Sequence, residues 1–221
     1  MKAILICNGD APSKRFLRKI VRNYDVIACA DGGANIAYRF KIRPDFIIGD
    51  LDSVDKTVLN FFREKGTEII YDSDQNSTDI EKSVKFLISK GYTSIDIVST
   101  IGTRVDHNLG NLSVLVNYHK KANLKIIDEG SEIFFATEKF SFVANKGDII
   151  SLIPLGRRAF ILRTTGLKFK LKNENLTFCG RDKMKRYLLH LCTHKIYNHL
   201  AILREDSEPK RFYPSEIQCA F

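Results

Sequence analysis

No run of apolar residues in this chain approaches the roughly 20 that a bilayer-spanning helix needs, which excludes a helical membrane span. Cysteine is sparse: five in all, Cys7, Cys29, Cys179, Cys192 and Cys219, an odd set with no C-x-x-C spacing. That excludes a disulfide framework and a zinc ribbon. Cys7 and Cys29 fall inside apolar runs, so reduced core thiols are expected. Internal repeats and low-complexity tracts are missing too. The opening "MKAILICNGD" reaches an aspartate too soon for a secretory leader, and a cytoplasmic location is the expectation. The formal charge of +9 lacks concentration, being divided almost evenly between the two halves of the chain. A nucleic-acid binder gathers its basic residues on one face and interleaves aromatics. The expected partners are therefore anionic small ligands, with no nucleic acid and no membrane.

What is present is an ordinary globular composition: 221 residues, 44% of them hydrophobic, enough for one large domain or two modest ones. Residues 1–126 alternate short apolar runs, "KAILIC", "DVIACA", "DFIIG", "TEIIY" and "SIDIVS", with helical patterns such as "SKRFLRKIVRN", "SVDKTVLNFFREKG", "STDIEKSVKFLISKG" and "DHNLGNLSVLVNYHKK". That alternation predicts right-handed βαβ units and a parallel sheet, an α/β domain. From about residue 127 the rhythm changes. "KFSFVANKGDIISLIPLG", "AFILRTTGLKFKL" and "LTFCG" are strand-like runs between Gly, Asn and Lys turns, and predict a second, all-β domain over 127–221. The last 40 residues have weak periodicity and receive no assignment.

Strand after strand in the first domain ends in aspartate: Asp10, Asp31, Asp50 with Asp52, and Asp72 with Asp74. In a parallel sheet those ends share one edge, where open α/β sheets bind ligands. Residues i and i+2 of an extended segment point the same way, so Asp50 and Asp52 are expected to face one ion. Clustered carboxylates raise each other's pKa unless a cation sits among them. Oxygen ligands without nearby Cys or His favour a hard ion, Mg²⁺ first, which brings phosphate oxygens as its remaining ligands. Helix capping is the competing reading, with Ser53 as N-cap before "VDKTVLNFF" and Thr78 with Glu81 as a capping box. "DGGAN", Asp31 to Asn35, lets backbone N–H groups approach an anion, or is a plain tight turn. In "GTRVDHNLGN", Arg104 offers a fork for phosphate and Asp106 can meet a metal or a hydroxyl; a structural Arg–Asp pair is the alternative. His107 reads as a polar helix-start residue. "HLCTH", His190 to His194, lacks the second Cys/His pair that a metal site requires.

The segments "ACADGGAN", "PDFIIGDLDS", "DQNSTD", "GTRVDHNLGN", "SLIPLG" and "GLKFKLKNENL", in that order, resemble the thiamine pyrophosphokinase family over residues 1 to about 176. The resemblance implies an N-terminal α/β domain that binds Mg-ATP, a C-terminal β-sandwich that binds thiamine, and a homodimer with thiamine held between the α/β domain of one subunit and the sandwich of the other. The implied reaction transfers the β,γ-diphosphate of ATP to the hydroxyethyl oxygen of thiamine and releases AMP. Carried onto this chain, it makes Asp50, Asp52 and Asp79 the metal ligands. Asp79 and Asp106 complete the metal shell or orient the attacking hydroxyl, and Arg104 meets phosphate. Asp31, Gly32, Gly33, Asn35, Asp74, Gln75, Thr78 and Asn111 are the implied nucleotide contacts.

Two departures stand out. Asn76 occupies a place where many members of that family are acidic, and the Ser-Asn motif expected after "GLKFKLKNENLTF" is replaced by "CGRDKMKRYLLHLCTHKIYNHLAIL", leaving 180–221 atypical. The alternatives kept open are a nucleotide- or thiamine-binding module with an altered acceptor site, and the same ATP rim serving another alcohol or water.

Overall fold

The computed structural model describes residues 1–136, 142, 147–155 and 158–177, together with the backbone alone of 140–141, 186–188, 192–197 and 200–205. The chain divides into two compact units, Met1–Glu129 and Gly130–Phe221.

In the first unit strands and helices alternate: β1 (Lys2–Ile6), α1 (Lys14–Ile20), β2 (Val26–Ala30), α2 (Gly33–Phe40), β3 (Phe46–Gly49), α3 (Lys56–Glu64), β4 (Glu68–Tyr71), α4 (Asp79–Ser89), β5 (Ser94–Val98), α5 (Val105–Tyr118) and β6 (Asn123–Ile127). The strands lie in the order β6-β5-β1-β2-β3-β4, and every neighbouring pair is parallel. Helices cover both faces, which is why β1 reads as an unbroken apolar run: Ala3, Ile4, Leu5 and Ile6 are all fully buried. Burying each Ile or Leu side chain of such a strand contributes about 1.5–3 kcal/mol. β4 lies at the edge and exposes Glu68 and Tyr71, a charged rim that discourages further strand pairing.

Chain order and spatial order together locate the binding edge. From β1 the chain steps outward through β2, β3 and β4, then returns to the other side of β1 with β5. The reversal point lies between β1 and β5, and ligands of open α/β sheets bind beyond the carboxyl ends near such a point. Pairing persists past those two strands, through Gly9 N–H to Ser99 O at 2.7 Å and Asp10 N–H to Ile101 O at 2.6 Å. A Cβ at Gly9 would collide with the carbonyl oxygens of Ile101 and Ser99, so only glycine permits this approach.

Two expected caps come out differently. Thr78 is the N-cap of α4, its hydroxyl accepting from Glu81 N–H at 3.2 Å. The Glu81 carboxylate turns away from a reciprocal box and accepts instead from Tyr118 Oη on α5 at 2.7 Å, while pairing with Lys85 at 3.3 Å. Ser53 is no cap. α3 begins at Lys56 with Asp55 in the cap position, and Ser53 instead donates its hydroxyl to Asp52 Oδ1 at 2.8 Å.

The second unit is antiparallel: β7 (Ser131–Ala136), β8 (Phe140–Phe142), β9 (Ile149–Pro154), β10 (Arg158–Thr164), β11 (Lys172–Thr177), β12 (Arg186–Leu188), β13 (Cys192–Tyr197) and β14 (Leu200–Glu205). These strands form two sheets, ordered β12-β9-β14-β7 and β11-β10-β13-β8. Both contribute to one apolar core, with Phe134, Ile150 and Leu152 from the first and Phe142, Ile161 and Leu176 from the second. Two sheets sharing one core is a sandwich. Phe134 and Phe142 meet edge to face across it at 5.6 Å.

The run "AFILRTTGLKFKL" is one strand and a loop. β10 ends at Thr164, Gly166 takes φ 80°, and Thr164 receives the Leu171 N–H on its hydroxyl at 2.8 Å. Leu167 and Leu171 are nevertheless buried, so their hydrophobicity reflects packing of the loop onto the core. The tail, whose weak periodicity gives no assignment, supplies β12, β13 and β14. The replaced Ser-Asn position at 178–185 and the side chains of "HLCTH" lie outside the described residues.

Candidate active site

Beyond the carboxyl ends of β1, β2, β3 and β5, the first unit holds a cleft of about 700 Å³. Its acidic corner is built from three chain segments. Asp31 follows β2 in a left-handed conformation, φ 42°, pinned by its own N–H to Ile48 O at 2.8 Å. Asp50 follows β3. Asp79 is the first residue of α4, where the helix dipole favours a negative charge. One carboxylate oxygen from each of the three lies within 4.8 Å of the others. Gly49 makes the approach possible: at φ 151° its missing Cβ would stand 3.0 Å from Asp31 Cβ and 3.2 Å from Asp79 Oδ1.

Lys82, one turn along α4, completes the corner. Its side chain is almost wholly buried, and its ammonium lies 3.1 Å from Asp79 Oδ1 and 3.4 Å from Asp50 Oδ2. Desolvation works against the charged form of Lys82, but the hydrogen bond and charge of Asp79, with those of Asp50, hold its pKa above the ordinary lysine value. For Asp50, desolvation pushes upward and is outweighed by the Asp52 amide, Lys82 and Gln75, which together hold its carboxyl below the usual range. Asp31 behaves oppositely. Burial drives its pKa up, Ser53 and the Gly32 amide oppose the rise, and the charges of Asp79 and Asp52 add to it.

The other site residues expected from the sequence divide into two groups. Asp52, Asp74, Gln75, Thr78, Arg104 and Asn111 line the cleft with Asp31, Asp50 and Asp79. Asp52 is outside the close triad: its Oδ1 accepts from Ser53 Oγ at 2.8 Å. The i, i+2 argument fails there because Leu51 between the two aspartates is left-handed, not extended. Asp74 is taken up by its own turn, accepting from Asn76 N–H at 2.9 Å and Ser77 Oγ at 2.7 Å. Gln75 Nε2 reaches Asp50 Oδ2 at 3.5 Å, and Asn111 donates to Thr100 O at 2.7 Å. Gly32, Gly33, Asn35 and Asp106 are not among the lining residues. A Cβ on Gly33 would strike Ile6 O, and one on Gly32 the Asn8 side chain, so these glycines let α2 close on β1. Asn35 spans the loop after β3, donating to Ser53 O at 2.9 Å and accepting from Asp55 N–H at 3.1 Å. Asp106 pairs with Arg104 at 2.6 Å, both exposed to solvent. Asp10 and Asp72, also part of the acidic rim read from sequence, do not line the cleft either.

Several lining residues carry little signal in the sequence. Lys82 looks like any polar-face lysine of an amphipathic helix; its signal is the i, i+3 spacing from Asp79 in the first turn. Ser99 and Thr100, at the end of β5, are buried. Cys7 and Cys29 are free and buried, and burial holds both thiols well above the ordinary value, which leaves neither as a nucleophile.

The corner suits a hard divalent cation. Its donors are all oxygen, and Asp31 Oδ1 is a buried acceptor with no partner among the described residues. Three carboxylates against one ammonium leave a surplus of two negative charges.

The chain is similar to known proteins over most of its length. The family profile "Thiamin pyrophosphokinase, catalytic domain" matches residues 17–127, and "Thiamin pyrophosphokinase, vitamin B1 binding domain" matches residues 137–181. "Thiamine pyrophosphokinase 3" of Oryza sativa subsp. japonica is 31% identical over 207 residues, covering 80% of this chain and 76% of its own length. "Thiamine pyrophosphokinase 2" of Arabidopsis thaliana is 29% identical over 204 residues, with the same 80% and 76% coverage. Among solved structures, thiamin pyrophosphokinase from Candida albicans superposes with a TM-score of 0.81 at 19% identity, over 93% of this chain and 88% of that one. A probable thiamine pyrophosphokinase from Staphylococcus saprophyticus gives 0.68 at 27% identity, over 94% and 100%.

Proposed function

The chain belongs to the thiamin pyrophosphokinase family, and from that premise we propose that it is a thiamine diphosphokinase. The observation that carries this reading is the corner of Asp31, Asp50 and Asp79 at the start of α4, beside a nucleotide-sized cleft, with a buried Asp31 oxygen that has no partner among the described residues. In the proposed reaction the hydroxyl oxygen of thiamine gives up its proton to the surrounding water and forms a bond to the β-phosphorus of ATP. The bond from that phosphorus to the oxygen of the α-phosphate breaks, and AMP leaves with the electron pair.

Diphosphoryl transfer asks the protein for alignment and charge neutralisation more than for covalent work. We assign Asp31, Asp50 and Asp79 as the residues that hold Mg²⁺, with Asp52 beside them. Bound there, the ion would neutralise triphosphate charge. Arg104 is exposed and, among the described residues, its side chain is held by Asp106 alone, so it can exchange that carboxylate for phosphate oxygens, freeing Asp106 to orient the acceptor hydroxyl. Gln75, Thr78 and Asn111 serve as positioning contacts along the cleft, with Asp74 shaping the turn that carries Gln75. The second unit takes thiamine, and the working form is a homodimer in the cytoplasm. Buried free thiols at Cys7 and Cys29 suit that reducing compartment.

The test is release of AMP from Mg-ATP by the full chain. AMP that appears only with thiamine supports the assignment. ATP consumption that ignores thiamine would favour another acceptor, and nucleotide binding without turnover would favour a binding module.

A further inference from the structure

Three carboxylate oxygens within 4.8 Å of one another repel strongly, and without a counter-ion the loops that carry them would be pushed apart. The chain supplies its own. Lys82 is 3% exposed, its ammonium contacts Asp79 at 3.1 Å and Asp50 at 3.4 Å, and it stands among the groups assigned to the divalent ion. A resident metal site built for high affinity would not bury a like charge against two of its own ligands, because that charge repels the incoming ion.

We propose that Lys82 is an internal counter-cation that holds the carboxylates assembled in the nucleotide-free protein and keeps their intrinsic affinity for Mg²⁺ low. The ion then enters and leaves as a complex with the nucleotide triphosphate, whose negative charge offsets the repulsion from Lys82. Lys82 is in this sense a positioning residue that decides the order of binding. The inference rests on the diphosphokinase reading only in taking the nucleotide as carrier.

Calorimetry with MgCl2 alone, on the full chain without nucleotide or thiamine, tests it, paired with thermal unfolding in the presence and absence of the metal. Wild type and Lys82→Arg should take up Mg²⁺ only in the millimolar range. Lys82→Met should bind it about tenfold or more tighter, unfold at a lower temperature than wild type without metal, and recover more of that temperature when Mg²⁺ is added. A Lys82→Met protein that is destabilised but binds Mg²⁺ no tighter would show a merely structural lysine and overturn the proposal. If Lys82→Met does not fold, wild type decides alone: micromolar Mg²⁺ binding without nucleotide overturns the proposal, millimolar binding supports it. Because these readings use the metal alone, failure of thiamine-dependent AMP release would count against the enzyme assignment separately.

Discussion

Asp31 receives the Ser53 amide on Oδ2 at 3.3 Å, while its Oδ1 is buried and has no partner among the described residues. One oxygen fixes the loop after β3 and the other is left for a ligand. Asp31→Asn keeps the shape and removes the charge, so turnover should fall by about 100-fold or more with the fold intact. Asp52→Asn, which alters a side chain bonded to Ser53 outside the triad, should cost less than Asp31→Asn. Steady-state AMP release from both variants, with circular dichroism to confirm folding, checks the ranking; equal losses would return Asp52 to the metal shell.

Gly33→Ala tests packing with no change of charge. The added Cβ would meet the Ile6 carbonyl, which is backbone of a buried strand and cannot step aside. Destabilisation of about 1–3 kcal/mol is expected, read from the urea midpoint. A neutral result would mean that α2 can shift on β1 without cost.

The Tyr118 hydroxyl donates to Glu81 at 2.7 Å, linking α5 to α4. Tyr118→Phe should cost about 1–2 kcal/mol, since the acceptor is charged. Burial raises the Tyr118 pKa first, the Glu81 hydrogen bond and charge add to it, and Lys85 opposes. A folded pKa above the unfolded value of about 10 means this stabilisation is fully present below pH 10 and is lost as pH rises through the folded value. Alkaline unfolding curves of wild type should therefore fall more steeply than those of Tyr118→Phe.

Arg104→Ala should leave stability within about 0.5 kcal/mol of wild type, because both partners of its ion pair are exposed. The same change should raise KM for ATP, by about tenfold for the loss of one charge-assisted contact. A melting curve and an ATP titration separate the two effects; an unaltered KM would leave Arg104 as a surface pair only.

The parallel sheet is legible in the sequence because strands covered on both faces are largely apolar; β1, β2 and β3 carry that mark, while β5 keeps it on either side of the buried Asp96. The strand-end aspartates are legible for the same geometrical reason: in a parallel sheet those ends fall on one edge. The identity of the close trio is not. Choosing between Asp31 and Asp52 depends on the backbone of Leu51, whose positive φ no propensity for leucine foretells. Lys82 escapes notice because a lysine in an amphipathic helix normally reaches solvent, and only the tertiary placement of Asp50 beside Asp79 turns it inward. Gly32 and Gly33 read as room for an anion or as a plain tight turn; the space where their Cβ atoms would stand is taken by Asn8 and Ile6.

Asn35 clasps the stretch between Asp50 and α3 with both ends of one amide, donor to Ser53 and acceptor from Asp55. A carboxylate in its place would keep the outline but lose the donor, setting a negative oxygen against a carbonyl oxygen. Spontaneous hydrolysis of that single amide during storage would therefore loosen the loop that follows Asp50. An ageing preparation could lose nucleotide affinity while its helices and strands still register as native.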